Sequence, residues 1–119
     1  MQRFDRRFRI WEYWVSHSQL LLRSPGDLRC PADSSRSRNV DVIFVSVSYI
    51  ELPAIMWDLE LTDPTMADLQ KAEQVLGEPV QPEHVFVIVA NGRRYLVVAG
   101  GMQILENNLE LMQSSLERV

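Results

Sequence analysis

Residues 85–99 read Val85-Phe-Val-Ile-Val-Ala-Asn-Gly-Arg-Arg-Tyr-Leu-Val-Val-Ala99, two β-branched and aromatic runs that meet at Asn91-Gly92. An Asn-Gly pair between such runs is the strongest short-range signal for a β-hairpin. A type I′ turn needs positive φ at both central residues, which Asn tolerates and Gly adopts freely. A two-residue loop sets Ala90 opposite Arg93, Ile88 opposite Tyr95 and Phe86 opposite Val97. One face then carries Phe86, Ile88, Tyr95 and Val97, and the other Val85, Val87, Val89, Leu96 and Val98. Both faces are apolar away from the turn, so the hairpin is expected inside a domain, packed on both sides.

Working outward, residues 4–15 are rich in Phe, Trp, Tyr, Ile and Val. Phe4, Phe8, Ile10 and Trp14 alternate with Arg6 and Glu12 as in a strand, although Phe4, Phe8, Trp11 and Val15 also fit a helical stripe. Few helix formers are present, so the reading is a strand. Ser16-His17-Ser18 turns the chain into a short second strand, residues 19–23, ended by Ser24-Pro25-Gly26. Residues 24–39 form a long polar loop of Ser, Pro, Asp and Arg. Residues 40–52 then read as one strand, with Ile43, Val45, Val47 and Tyr49 on one face and Val42, Phe44 and Ile50 on the other, interrupted at Pro53. Extended structure resumes over 55–61. Asp63-Pro64 is a helix start and Gly77 a stop, giving a helix over 64–76 with Leu69, Ala72, Val75 and Leu76 facing inward. Residues 78–83 link into the hairpin, Gly100-Gly101 ends it, and 102–106 read as a further strand. The stripe Leu105, Leu109, Met112, Leu116 fits a short terminal helix, although Leu109 and Leu111 also alternate with Glu110 as an edge strand would, and the helix is preferred. The expected fold is a single α+β domain over residues 1–119, an antiparallel sheet, flat or barrel-like, covered by one main helix.

Composition narrows the function classes. At 119 residues and 46% hydrophobic the chain can bury one core, and no apolar run approaches the roughly 20 residues of a membrane span. The first nine residues lack the apolar region of a secretory signal, and Cys30 is the single cysteine, so the expectation is a cytoplasmic protein without disulfides. Residues 1–40 hold eight arginines against four acids, so the remainder carries −8 of the overall −4. Eleven of the twelve basic residues are Arg, which fits the codon usage of a GC-rich bacterial genome.

Candidate chemistry is sparse. His17 between two serines is the one candidate acid or base, with no Gly-x-Ser-x-Gly elbow beside it. Two histidines and one cysteine, far apart, match no zinc spacing, and Asp58, Glu60 and Asp63 lack the loop of a calcium hand. Gly100-Gly101 lacks the partners of a phosphate loop, and no motif calls for a cofactor. Arg3, Arg6, Arg7 and Arg9 interleave with Phe4, Phe8 and Trp11 in the manner of single-strand nucleic-acid binders. Aromatics of a first strand more often fill a core, and the acidic body opposes a phosphate backbone. The first expectation is therefore a non-catalytic, accessory or immunity-like domain that binds a protein partner, or a second copy of itself, through a sheet edge or the 24–39 loop. Its candidate contact residues are Arg29, Arg36, Arg38, Trp11, Trp14, Trp57 and Tyr49. The second is a small enzyme or ligand-binding barrel whose pocket is lined by Trp11, Trp14, Trp57 and Tyr49, with His17 as acid or base. Neither nucleic acid nor membrane is expected as a partner.

One consequence is local to the hairpin. Gly92→Val places a β-branched side chain at a positive-φ position and should lower stability by about 1 kcal/mol or more. An unchanged midpoint in urea unfolding would contradict the turn.

Overall fold

The computed structural model describes residues 2–27, 29–31, 34–109 and 113–116. Within them run β1 (Gln2–Arg3), β2 (Arg7–Trp14), β3 (Gln19–Ser24), β4 (Asn39–Val45), β5 (Tyr49–Ile50), β6 (Ile55–Trp57) and β7 (Glu60–Thr62). These are followed by α1 (Met66–Leu76), β8 (Val85–Ala90), β9 (Arg93–Val98) and β10 (Gly101–Asn107). The strands form two antiparallel sheets, ordered β1-β7-β8-β9-β5 and β10-β4-β3-β2-β6. Neither closes on itself, so the α+β reading stands and the barrel-like variant gives way to two open sheets facing one another.

The β8–β9 hairpin has the register its sequence dictates, from Ala90 opposite Arg93 to Phe86 opposite Val97. Asn91 and Gly92 adopt φ of 54° and 72°. Ile88 and Val97, with Phe86 and Tyr95 beside them, enter the core between the sheets together with Phe8, Leu20, Leu22, Val42, Phe44 and Met56. Val85, Val87, Leu96 and Val98 lie on the opposite face against Ala72, Leu69 and Leu76 of α1. The hairpin also spans the second sheet. Phe86 packs edge-on against Phe44 at one end, and at the other the Asn91 side chain accepts from Trp57 N–H and donates to Ile55 C=O, both at 2.9 Å.

The helix starts later than Asp63-Pro64 suggests. Thr65 is the N-cap, its hydroxyl accepting from Asp68 N–H while the Asp68 carboxylate accepts from Thr65 N–H, a capping box that outcompetes a lone Asp cap. Asp68 is thereby drawn inward to an ion pair with Arg94, whereas Val75, read as inward-facing, is 44% exposed. Gly77 stops the helix at φ 73°, its N–H donating to Glu73 C=O.

Three long-range features depart from the sequence reading. Residues 40–52 are two strands in different sheets, because Ser46 takes a left-handed φ of 52° and turns the chain out of the second sheet after Val45. Val47 consequently packs with Val42 and Phe44 in the central core, while Tyr49 faces α1. Asp58, at φ 53°, makes the same kind of switch between β6 and β7. In β2 the pairing with β3 shifts between Ile10 and Glu12, a bulge that reverses the alternation. Phe8 points into the central core, but Trp11 and Trp14 land on the outer face with Leu21, Ile43 and Leu116. As for the terminal helix, residues 113–116 are not helical, Leu105 belongs to β10, and Met112 lies outside the described residues.

That outer face of the second sheet holds a buried ion pair. Arg23 and Asp41 sit opposite one another on β3 and β4, and both side chains are 0% exposed. Arg23 Nε and Nη2 donate to the two Asp41 oxygens at 2.7 and 3.0 Å, and Nη1 donates to Gln113 C=O at 2.7 Å. The indole of Trp11 lies 5.6 Å from the guanidinium carbon. Asn107 on β10 donates to Asp41 at 2.7 Å, and Asn39 donates to Asn107 and to Leu109 C=O while accepting from Gly26 N–H. Burial acts against the Asp41 charge, but Arg23, with smaller contributions from Ser115 and Asn107, outweighs it and holds the carboxyl below its ordinary range.

Removing one member strands the other. Asp41→Ala should cost about 3–5 kcal/mol, because it leaves a guanidinium buried without a counter-charge. Arg23→Met combined with Asp41→Leu should recover most of that loss, since no buried charge remains. Urea unfolding checks both, and a single substitution costing less than about 1 kcal/mol would contradict the assignment.

Candidate functional site

Beside this network the surface opens into a hollow of about 670 Å³, lined by residues from three parts of the chain. The β1–β2 turn and the start of β2 supply Asp5, Arg6 and Arg7, the loop after β3 supplies Asp27, Arg29 and Arg36, and β6 supplies Trp57. The Arg6 guanidinium donates to Ser24 Oγ at 3.0 Å and to the carbonyls of Ser24, Pro25 and Arg38 at 3.2, 3.1 and 2.7 Å. Arg6 therefore ties the two ends of the loop to the start of β2. The loop is also closed on itself, with Asp27 N–H donating to Arg36 C=O at 2.7 Å. At Gly26 a Cβ would run into the Ser37 carbonyl, so only glycine allows the strands of the loop base to approach this closely.

The remaining lining residues face solvent. Arg7 and Trp57 are opposite one another on β2 and β6, and the Arg7 guanidinium lies over the indole at 5.4 Å. Trp57 is nevertheless 55% exposed. Arg29 pairs with Asp27 through two contacts of 3.1 Å, which together with the Arg29 N–H bond lower the Asp27 carboxyl below its ordinary value. Among the described residues, Arg7 and Arg36 make no ion pair. The hollow thus presents four arginines against two aspartates, with an exposed indole at its edge.

The residues singled out by sequence separate into groups. Arg29, Arg36 and Trp57, up to 28 positions apart, line the hollow together, and Arg38 borders it by giving its carbonyl to Arg6. Trp11 and Trp14 lie on the outer face of the second sheet, and Tyr49 lies beneath α1, so the four aromatics do not meet in one pocket. His17 is exposed in a 3-10 turn at the far end of β2. Its ring stacks on Trp14 at 3.7 Å, with Nδ1 2.9 Å from Ser16 Oγ. Among the described residues no group of three or more His, Cys, Asp or Glu converges on a point, and no helix is long and apolar enough to cross a membrane. Arg6 and Arg7 stood out in the sequence only through the arginine–aromatic interleaving. Their role comes from the turn at residues 4–6, which brings them to the loop base. Comparison of the chain with protein-family models, curated proteins and solved structures finds no match.

Arg6→Ala should loosen the loop without touching the hairpin. Amide hydrogen exchange at Asp27 and Ser37 is expected to accelerate by about tenfold or more, given the strength of charged-donor bonds, with exchange in β8 and β9 unchanged. Equal protection at Asp27 in both proteins would show that Arg6 does not hold the loop.

Proposed function

We propose that this chain is a non-catalytic, accessory or immunity-like domain that binds an acidic protein partner through the arginine-bearing hollow. The observation that carries the reading is the convergence of Arg29, Arg36 and Trp57 with Arg7 on one open surface braced from behind by Arg6. Guanidinium groups in a planar fork match carboxylates, and Arg and Trp are the residue types that most often dominate binding energy at protein interfaces. The fit is with a partner whose contact segment is acidic, because the hollow gathers four arginines against two aspartates while residues 41–119 carry a net −8. A bacterial cytoplasm is part of the same proposal, supported by a single cysteine and the dominance of Arg over Lys. His17, on which the enzyme reading rests, bonds to Ser16 and stacks on Trp14 at the opposite end of β2 from the hollow.

The test is affinity capture from cells of the source organism followed by titration of the purified pair. Arg7→Glu with Arg36→Glu should weaken binding about tenfold or more and flatten its salt dependence. Trp57→Ala should weaken it comparably, by about 2 kcal/mol if the indole is a central contact. His17→Gln should leave it unchanged. A partner bound equally well by the arginine variant, or lost on His17→Gln in a folded protein, would overturn the proposal.

A further inference from the structure

The four strands at sheet edges are not equivalent. β1 and β5 are two residues long, too short to template pairing. β6 is guarded, because the Asn91 amide occupies Trp57 N–H and Ile55 C=O as a neighbouring strand would. β10 is seven residues long, pairs with β4 along its whole length on one side, and among the described residues bonds to no backbone on the other. It carries no proline, no lysine and a single charge, Glu106, so it lacks the devices that normally keep an edge from pairing. The chain beyond it leaves the edge. Leu109 C=O accepts from Asn39 on β4 and Gln113 C=O from Arg23 on β3, so both residues lie towards the middle of the sheet rather than beside β10.

The core is also open at this edge. Met102 and Ile104 point from β10 into the central cluster but are only partly buried, and a hollow of about 200 Å³ lies between Met102 and Leu61, Phe86 and Val87 of the first sheet. An unpaired edge and an uncovered flank of core therefore coincide.

We infer that β10 is a self-association strand: two copies of the chain pair antiparallel along β10 about a two-fold axis at Ile104 and merge their second sheets into one continuous sheet. The occupant is a second copy because the strand is self-complementary. With the axis at Ile104 all seven residues find partners, Ile104 meets its own copy, Gln103 meets Leu105, and Glu106 meets Met102. The one charged residue never faces itself, and the Ile–Ile pair is of the favourable β-branched kind. The partner's Met102 and Ile104 extend the inner face and cover the open flank.

The experiment is sedimentation equilibrium on the full chain from about 1 μM to about 1 mM, a range that reaches weak association. A concentration-dependent dimer is expected, and a monomer throughout would overturn the inference. Register is tested by charge at one position. Met102→Glu places like charges opposite each other twice per dimer, whereas Met102→Lys places opposite charges there, and both remove the same methionine from the core. Their dimer dissociation constants should differ by about fivefold or more, with Lys the tighter. Adding Glu106→Lys to Met102→Glu should restore pairing. Equal dissociation constants for Met102→Glu and Met102→Lys, or no recovery in the double variant, would show that any dimer forms elsewhere.

Discussion

The buried pair of Arg23 and Asp41 is the constraint on which the second sheet depends. Each of the two sheets has an outer face to cover, and they do it differently. The first sheet lies under an amphipathic helix whose Ala72, Leu69 and Leu76 seal Val85, Val87, Leu96 and Val98. Among the described residues the second has no helix. Leu21 and Ile43 are covered by Leu116 and by the indoles of Trp11 and Trp14, and between them sits a fully desolvated charge pair. Such a pair is tolerable only when its remaining hydrogen-bond capacity is met, because desolvation of two ions costs several kcal/mol each. The Gln113 carbonyl and the Asn107 amide meet it, and in doing so they fix the tail and β10 in place.

The same network reaches the candidate binding surface. From Asp41 it passes to Asn107, from Asn107 to Asn39, and from Asn39 to Gly26 at the base of the arginine-bearing loop. Arg6 closes the base from the other side by bonding to carbonyls at both ends of the loop. The loop between β3 and β4 is therefore rooted in the interior although its own residues are polar. For the proposed partner, rooting of this kind would present Arg29 and Arg36 from a preorganised base and so lower the ordering cost of binding.

What could be read from the chain alone follows the range of the interactions. The hairpin register depends on two adjacent residues and was fully legible at Asn91-Gly92. The helix was legible in position but not at its first turn, because the Asp68 reach-back to Thr65 had to be weighed against Asp63-Pro64. The sheet switches at Ser46 and Asp58 were not legible, since both are ordinary residues whose left-handed φ is imposed by tertiary packing. Asp41, a lone acid within Val40-Asp-Val-Ile-Phe-Val45, and Arg23, closing Leu20-Leu-Leu-Arg23, are each a polar break in an apolar strand. Those breaks were the available signal for the buried pair, but the pairing itself needs the β3–β4 register. Of the candidate contact residues, Arg29, Arg36 and Trp57 converge while Trp11, Trp14 and Tyr49 serve two other clusters, a division set by the bulge in β2 and the strand switch at Ser46.

Because the Asp41 carboxyl is held below its ordinary value, its contribution to stability is present above about pH 3.9, the usual aspartate pKa, and is lost as pH falls through the folded-state value. An acid titration followed by NMR, reading the Asp41 carboxyl carbon and the Leu116 methyls together, tests this most directly. The account predicts that Asp41 titrates below about 3.9 and that the Leu116 signals change with it, as the tail loses its anchor on Arg23. An Asp41 that titrates at or above that value while the Leu116 signals stay constant would contradict it.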